Sequence, residues 1–121
     1  MEQEQLIQIQ MMQQEAQQLE QQLQMIEQHL AEMQGLNDGL EELDKSKEKE
    51  ILAGIGKGIY IPAEIKNKEL TVEVGKSNFV KKSIPETKKI ITEQIEKLNS
   101  VKIQISERVN QLQEEMSGLV R

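Results

Sequence analysis

Large apolar side chains are scarce in this chain of 121 residues, which has no tryptophan, one tyrosine and one phenylalanine. Aromatic residues normally contribute much of the area buried in a compact core. With 36% hydrophobic and 30% charged residues, the chain has too little apolar material for an ordinary globular core. We therefore expect narrow apolar seams between helices, together with a core that other chains complete.

Cysteine is also absent, which excludes a disulfide framework, a thiolate nucleophile and a thiolate metal site. The net charge of −6, from 21 acidic and 15 basic residues, argues against nucleic acid as a partner, because phosphate binding requires clustered lysine and arginine. No apolar run approaches the roughly 18–20 residues that span a bilayer. The N-terminus lacks the pattern of a signal peptide, so we expect no membrane association and a cytoplasmic location.

Residues 1–44 carry a heptad pattern of apolar residues that predicts a coiled-coil helix. Steps of three and four residues alternate along this pattern, and Asn37 is its one polar member. The other heptad positions are rich in glutamine, which favours helix moderately, although glutamine-rich segments are often disordered. The predicted seam consists of Ile9, Met12, Ala16, Leu19, Leu23, Ile26, Leu30, Met33, Asn37 and Leu40.

Residues 85–121 predict a second coiled-coil helix. Ser83 is the expected N-cap, Pro85 falls in the first turn, and Glu86 follows the serine by three residues, as in a capping box. Two lysines interrupt the apolar pattern of this helix. The predicted seam consists of Ile84, Lys88, Ile91, Ile95, Leu98, Lys102, Ile105, Val109, Leu112, Met116 and Leu119.

The two seams can be aligned with each other in the antiparallel sense. One alignment places Leu40 against Ile84, Met33 against Ile91, Ile26 against Leu98, Leu19 against Ile105 and Met12 against Leu112. It also places Asn37 against Lys88, a polar layer of the kind that can fix coiled-coil register. Lys102 then faces the apolar seam, and we expect its side chain to extend outward to Glu20 or Glu27.

Residues 45–84 contain one of the two prolines, both aromatic residues and four of the seven glycines. They predict a linker and two β-hairpins, with strands at 51–55, 59–65, 69–74 and 79–82 joined by short connections that contain glycine. Four such strands cannot form a stable sheet alone and expose unpaired edges. We expect them to pair with hairpins of other chains through Ile51, Ile55, Ile59, Ile61, Ile65, Leu70, Val72, Val74, Phe79 and Val80.

The sequence predicts no catalytic residue, no metal site and no cofactor. Gly54–Gly58 fits neither a Walker motif nor a dinucleotide fingerprint, and no helix follows it whose N-terminus could bind phosphate. His29, the one histidine, lies beside the seam without other potential metal ligands. The carboxylates are spread along predicted helix surfaces, where no cleft would perturb their pKa values. We therefore expect a protein that is not an enzyme.

The predicted fold class is α+β, a long antiparallel coiled coil with two β-hairpins inserted between its helices. This order of elements, together with the sequences of Gly54–Ala63 and Val74–Ile84, resembles the α-class prefoldin subunits of the archaeal type. Two hairpins indicate the α class, since β-class subunits carry one. The resemblance covers nearly the whole chain, and its specific part lies in the hairpins.

The resemblance implies a hexamer of two α and four β subunits whose hairpins join an oligomeric β-barrel. It also implies ATP-independent capture of unfolded proteins by the coiled coils and delivery of these clients to a group II chaperonin. Prefoldin β-class subunits, unfolded proteins and the chaperonin are therefore the expected partners.

Apolar residues at both helix ends are the candidate client-binding residues, and we call them the tip residues. Some belong to the seams, whereas others lie outside them and would stay exposed. Methionine-rich apolar surfaces adapt to many sequences, and several weak sites on one assembly add avidity. The tip residues are Leu6, Ile7, Ile9, Met11, Met12, Met116, Leu119 and Val120. Alternatively, these residues only complete the coiled coil, and the chain is a structural scaffold or spacer in a larger complex.

Overall fold

A computed structural model describes residues 2–120. The elements are α1 (Gln3–Lys45), β1 (Glu50–Gly56), β2 (Ile59–Glu64), β3 (Leu70–Gly75), β4 (Asn78–Lys82) and α2 (Ile84–Val120). The predicted fold class, two long helices with two β-hairpins between them, is confirmed. The chain forms two compact units: the helix-end unit comprises the parts of α1 up to Gln34 and of α2 from Glu93, and the hairpin unit comprises Gly35–Thr92.

The predicted seams are the buried stripes of the two helices. Every seam residue of α1 is at least partly buried, whereas most residues between them, including nearly all the glutamines, are exposed. On α2, Ile84 and Leu112 are only 1% and 0% exposed. The buried hydrophobic side chains of residues 2–120 all lie in these helices: Ala16, Leu40, Ile84, Ile91, Val109 and Leu112. The glutamine-rich segment is therefore helical because its apolar residues keep a constant face.

The start of α2 has the predicted cap. The main-chain N–H of Glu86 donates to Ser83 Oγ at 3.2 Å, and the main-chain N–H of Thr87 donates to the Ser83 carbonyl at 3.1 Å. Pro85 is the second residue of the helix, where its missing N–H removes no helical hydrogen bond. These contacts fix where the chain turns from β4 into α2.

The polar layer in the hairpin unit differs from the prediction. Asn37 Nδ2 donates to Thr92 Oγ1 at 3.2 Å, one helical turn beyond the expected Lys88. Thr92 Oγ1 in turn donates to the Lys88 carbonyl at 2.9 Å, whereas Lys88 Nζ lies 3.9 Å from Glu41 Oε2. The reason is physical: the long lysine side chain carries its ammonium group out of the seam toward a surface carboxylate, which leaves the threonine hydroxyl for the asparagine.

In the helix-end unit, Lys102 Nζ lies 3.6 Å from Glu27 Oε1. The expectation that this lysine extends to a flanking glutamate is thus confirmed, with Glu27 as the partner. Which apolar residue of α1 lies opposite which apolar residue of α2 stays a prediction.

The first hairpin pairs β1 with β2 in antiparallel register. Ala53 lies opposite Ile61, and Gly54 lies opposite Tyr60, so these two pairs project to opposite faces of the ribbon. A bulge interrupts the register between Gly54 and Gly56. Gly56, the last residue of β1, and Gly58 in the turn have φ of 140° and 80°, backbone conformations that glycine adopts without the strain of a side chain.

The second hairpin pairs β3 with β4 in antiparallel register and forms a separate two-stranded sheet. Val72 lies opposite Val80 on one face, and Glu73 lies opposite Phe79 on the other. The face with Val72 and Val80 is therefore mainly apolar, with Lys82 opposite Leu70 at its end, and the other face is mixed. Since each hairpin pairs only with itself in residues 2–120, both leave strand edges unpaired within this part of the chain.

Candidate functional site

The hairpins expose large apolar side chains, which would be buried if the strands packed against a second layer. Ile55 is 67% exposed, Ile59 59% and Phe79 61%. Of the ten residues predicted to form the interface between chains, seven are exposed: Ile51, Ile55, Ile59, Ile61, Val74, Phe79 and Val80. The remaining three, Ile65, Leu70 and Val72, are half-buried. Apolar surface concentrated in this way marks an interaction site.

Two further exposed residues of the first hairpin were missed by the sequence analysis. Leu52 is 68% exposed and Tyr60 is 61% exposed, and both project from the face opposite Ile51 and Ile61. The sequence did contain an indication of these residues. Side chains alternate between the two faces of a strand, and β1 and β2 have apolar residues at positions that point to each face. The first hairpin therefore exposes apolar side chains on both of its faces.

The tip residues divide by exposure as their heptad positions predict. Leu6, Ile7, Met11 and Val120 are exposed by 47%, 49%, 63% and 62% respectively. The seam members Ile9, Met12, Met116 and Leu119 are half-buried. The helix-end unit therefore has an exposed apolar surface beside its seam.

Two open grooves in the helix-end unit bring most of the tip residues together. The larger groove, of about 660 Å³, has Met11, Met12 and Leu119 in its lining together with Leu112. A second groove, of about 560 Å³, is lined partly by Ile9, Met116 and Val120. Leu6 and Ile7 line neither of them. Both grooves contain glutamine side chains, which offer hydrogen bonds beside the apolar surface.

An ion pair lies in the wall of the larger groove. Arg108 Nε donates to Glu15 Oε1 at 3.1 Å, and its Nη2 donates to Glu15 Oε2 at 3.3 Å. This hydrogen-bonded carboxylate raises the pKa of Arg108 above its ordinary value, so the guanidinium stays charged. The sequence analysis missed this pair, although both residues directly precede a seam residue, a position that often forms pairs across coiled-coil helices.

Other exposed apolar residues of the helices lie outside these surfaces. Isolated apolar residues are common on protein surfaces and carry no functional implication alone. The examples are Met25, Leu36, Ile90, Val101 and Ile103. Met25 and Ile103 supply matched controls for variants of the tip residues and of the seam.

Within residues 2–120, no group of three or more histidine, cysteine, aspartate or glutamate side chains is arranged to hold a metal ion. The one histidine, His29, is exposed. None of the helices in this part of the chain has the length and apolar character needed to cross a membrane.

Comparison with known proteins supports one fold and one family. The chain is similar to the filamentous PFD from Methanocaldococcus jannaschii, solved by cryo-EM, with a TM-score of 0.80 and 16% identity over 93% of this chain and 95% of that chain. A search of curated proteins finds no match. The family profile described as prefoldin subunit matches residues 12–120, a range that includes α1 from Met12 onward, both hairpins and all of α2. The chain therefore belongs to the prefoldin subunit family.

Proposed function

We propose that this chain is an α-class prefoldin subunit that acts in the cytoplasm as an ATP-independent holdase. It captures unfolded proteins with its tip residues and delivers them to a group II chaperonin. Membership of the prefoldin family and the matching fold support a chaperone-type subunit. The presence of two hairpins supports the α class.

Assembly with other prefoldin subunits is the first part of this function. The partners are β-class subunits, two α with four β in a hexamer, and the hairpins of these chains together form a β-barrel. The exposed hairpin residues and the unpaired edges of both ribbons support this arrangement. Pairing between chains removes apolar surface from water and satisfies the free strand edges.

Client binding is the second part, and the observation that carries it is the gathering of tip residues around two grooves in the helix-end unit. An unfolded protein offers apolar side chains along an extended backbone. Met11, Met12 and Met116 provide unbranched, polarisable surface that adapts to different side chains. Each groove is open and binds weakly, so useful affinity requires several subunits acting on one client.

The experiment is an aggregation assay of a chemically denatured client with the assembled complex and no nucleotide. The complex should slow aggregation, and removal of residues 1–11 and 113–121 should abolish this effect while leaving assembly intact. A finer test replaces two exposed groove residues, Met11 and Val120, by serine. The matched control is Met25→Ser, because Met25 is 68% exposed on the same helix but lines neither groove.

We expect Met11→Ser with Val120→Ser to lower protection several-fold, whereas Met25→Ser protects like the wild type. Equal protection by the truncated complex and the wild type would contradict the tip mechanism. Loss of protection in the Met25 control to the same extent would show that exposed methionine in general, rather than the groove, binds the client.

A structural scaffold is the second candidate function, and one observation favours it: the similar protein from Methanocaldococcus jannaschii is filamentous. A chain with two self-paired hairpins and free edges can join copies without end. Electron microscopy of the purified protein distinguishes the candidates. Long filaments with no protection of the client support the scaffold, and particles of closed composition that protect the client support the holdase.

A further inference from the structure

Lys68 makes an unusual contact between the hairpin region and the end of α1. It lies in the connection between β2 and β3, yet its Nζ donates to the main-chain carbonyls of Asp44 and Ser46, each at 2.7 Å. Asp44 is in the last turn of α1, which ends at Lys45. All of these residues belong to the hairpin unit.

The end of a helix favours such a contact for two physical reasons. The last carbonyl groups of a helix lack partners within the helix, and the aligned peptide dipoles give this end a partial negative charge. A lysine ammonium group satisfies the carbonyls and interacts favourably with the dipole. Because the donor is charged, both hydrogen bonds are stronger than those between neutral groups.

The neighbouring main chain is also ordered around this contact. The first connector (46–49) has a turn in which Glu48 N–H donates to Ser46 Oγ at 3.2 Å. The second connector (65–69) has a turn in which Glu69 N–H donates to Asn67 Oδ1 at 3.0 Å. The two connectors are joined directly, since the Ile65 N–H donates to the Lys49 carbonyl at 2.6 Å. Lys68 thus joins the second connector to the end of α1, and we call this contact the clamp. Every hairpin strand begins or ends near it.

We infer that Lys68 is a positioning residue for assembly: it ties the second connector to the end of α1 and so sets the direction in which both hairpins leave the helices. This inference rests on the proposed assembly through the hairpins. Hairpins held in one direction lose less conformational freedom when they pair with another chain. Without the clamp, the same hairpins still form but sample more directions, and assembly weakens.

Three single variants of the full-length chain test this inference. Lys68→Met keeps the length of the side chain but removes the donor, whereas Lys68→Arg keeps a charged donor that reaches carbonyl oxygens. Lys66→Met is the matched control, because Lys66 lies in the same connector and is exposed, and it makes no hydrogen bond corresponding to the two made by Lys68. The control therefore removes the same charge without removing the clamp.

Two measurements are made on each variant. Sedimentation of the chain with β-class prefoldin subunits, the partners proposed above, gives the dissociation constant of the complex, and amide hydrogen exchange of the unassembled chain reports the order of the connectors. For Lys68→Met we expect assembly weaker by about tenfold, as the loss of charge-assisted hydrogen bonds implies. Exchange should quicken at residues 46–50 and 65–70, with helix content by circular dichroism unchanged. Lys68→Arg and Lys66→Met should resemble the wild type in both measurements.

Equal dissociation constants for Lys68→Met and Lys66→Met would overturn the inference, as would an arginine variant that is as weak as the methionine variant. If the wild type does not assemble at all, the proposed assembly fails instead. The exchange measurement then still decides the role of Lys68, since equal exchange rates in the two methionine variants would show that no clamp orders the connectors.

Discussion

Both the helices and the hairpins contain isoleucine, leucine and valine at regular intervals, but only the helices bury them. In α1 and α2 the apolar seams supply every fully buried hydrophobic side chain of residues 2–120. In the hairpins, Leu52, Ile55 and Phe79 are each more than 60% exposed. Each helix packs its apolar seam against the other helix of the same chain. A two-stranded ribbon, in contrast, has no second layer to cover its apolar face. The difference indicates that the helices bury their apolar residues within the chain, whereas the hairpins leave theirs exposed.

The largest effect is expected when a charged residue is placed on the apolar surface of the hairpins, since this tests whether that surface is an interface between chains. We expect Val72→Asp or Ile61→Asp to dissociate the proposed oligomer and leave the helices folded, because an unpaired carboxylate buried at an interface costs several kcal/mol, about 3–5 for a broken buried pair. Light scattering measures the assembly, and circular dichroism measures the helix content.

Thr71→Asp is the matched control for the Val72 variant. Thr71 adjoins Val72 in β3 but projects from the opposite, mixed face of the second hairpin, in the pair with Lys81. It should assemble like the wild type. An intact oligomer in both the Val72 and Ile61 variants would show that the hairpins are not the interface.

The next effect concerns the seam of the helices. Leu112 is 0% exposed, so Leu112→Ala removes a fully buried side chain and should lower the free energy of unfolding by about 3 kcal/mol. Ile103→Ala on the same helix is the control, since Ile103 is 59% exposed and alanine is the better helix former. Urea denaturation followed by circular dichroism compares the two. Equal losses would mean that the seam is not the core of the helices.

The sequence predicts the helices well because a heptad pattern specifies the buried face of a helix directly. The seam positions from Ile9 to Leu40 on α1 could be assigned to that face one by one, and the structure buries all of these seam residues at least partly. The hairpins were equally predictable, because Gly56 and Gly58 mark a turn that glycine favours.

What the sequence does not specify is which polar groups meet across elements. Several alignments satisfy two apolar heptads, so the choice of Thr92 over Lys88 as the partner of Asn37 depends on side-chain length and packing. The contact of Lys68 with the carbonyl of Asp44 joins residues far apart in the chain, and no periodicity predicts it. The role of the tip residues likewise depends on the molecule that they bind, and the sequence pattern of one chain does not identify that molecule.

A smaller effect on stability is expected from the two glycines inside α1. Gly35 and Gly39 lie in the helix interior, and a Cβ added at either position would have no atom within 4 Å. Replacing each by alanine should therefore raise the free energy of unfolding by about 1 kcal/mol. Gly58→Ala is the control with the opposite sign, because its φ of 80° strains any residue with a side chain. Thermal denaturation measures all three. No gain from Gly35→Ala would indicate that the helix is already distorted at this point.

The smallest effect is electrostatic and concerns Glu41, on the surface of α1. A hydrogen bond from Lys45, together with the charges of Lys45 and Lys88, lowers the pKa of Glu41 below its ordinary value of 4.5. A carboxylate whose pKa is lowered by folding stabilises the fold above its unfolded pKa, and this contribution is lost as the pH falls through its folded pKa. Glu41→Gln should therefore be slightly less stable than the wild type at pH 7.

This difference should disappear as the pH falls below 4.5, since the wild-type carboxylate is then increasingly protonated. Melting temperatures from pH 7 down to pH 3 give the comparison, with Glu42→Gln as the control on the adjacent exposed position. Because the Glu41 contacts are at the surface, the effect must stay well below that of Leu112→Ala. A loss as large as that of the seam variant would mean that ion pairs, rather than apolar burial, hold the helices together.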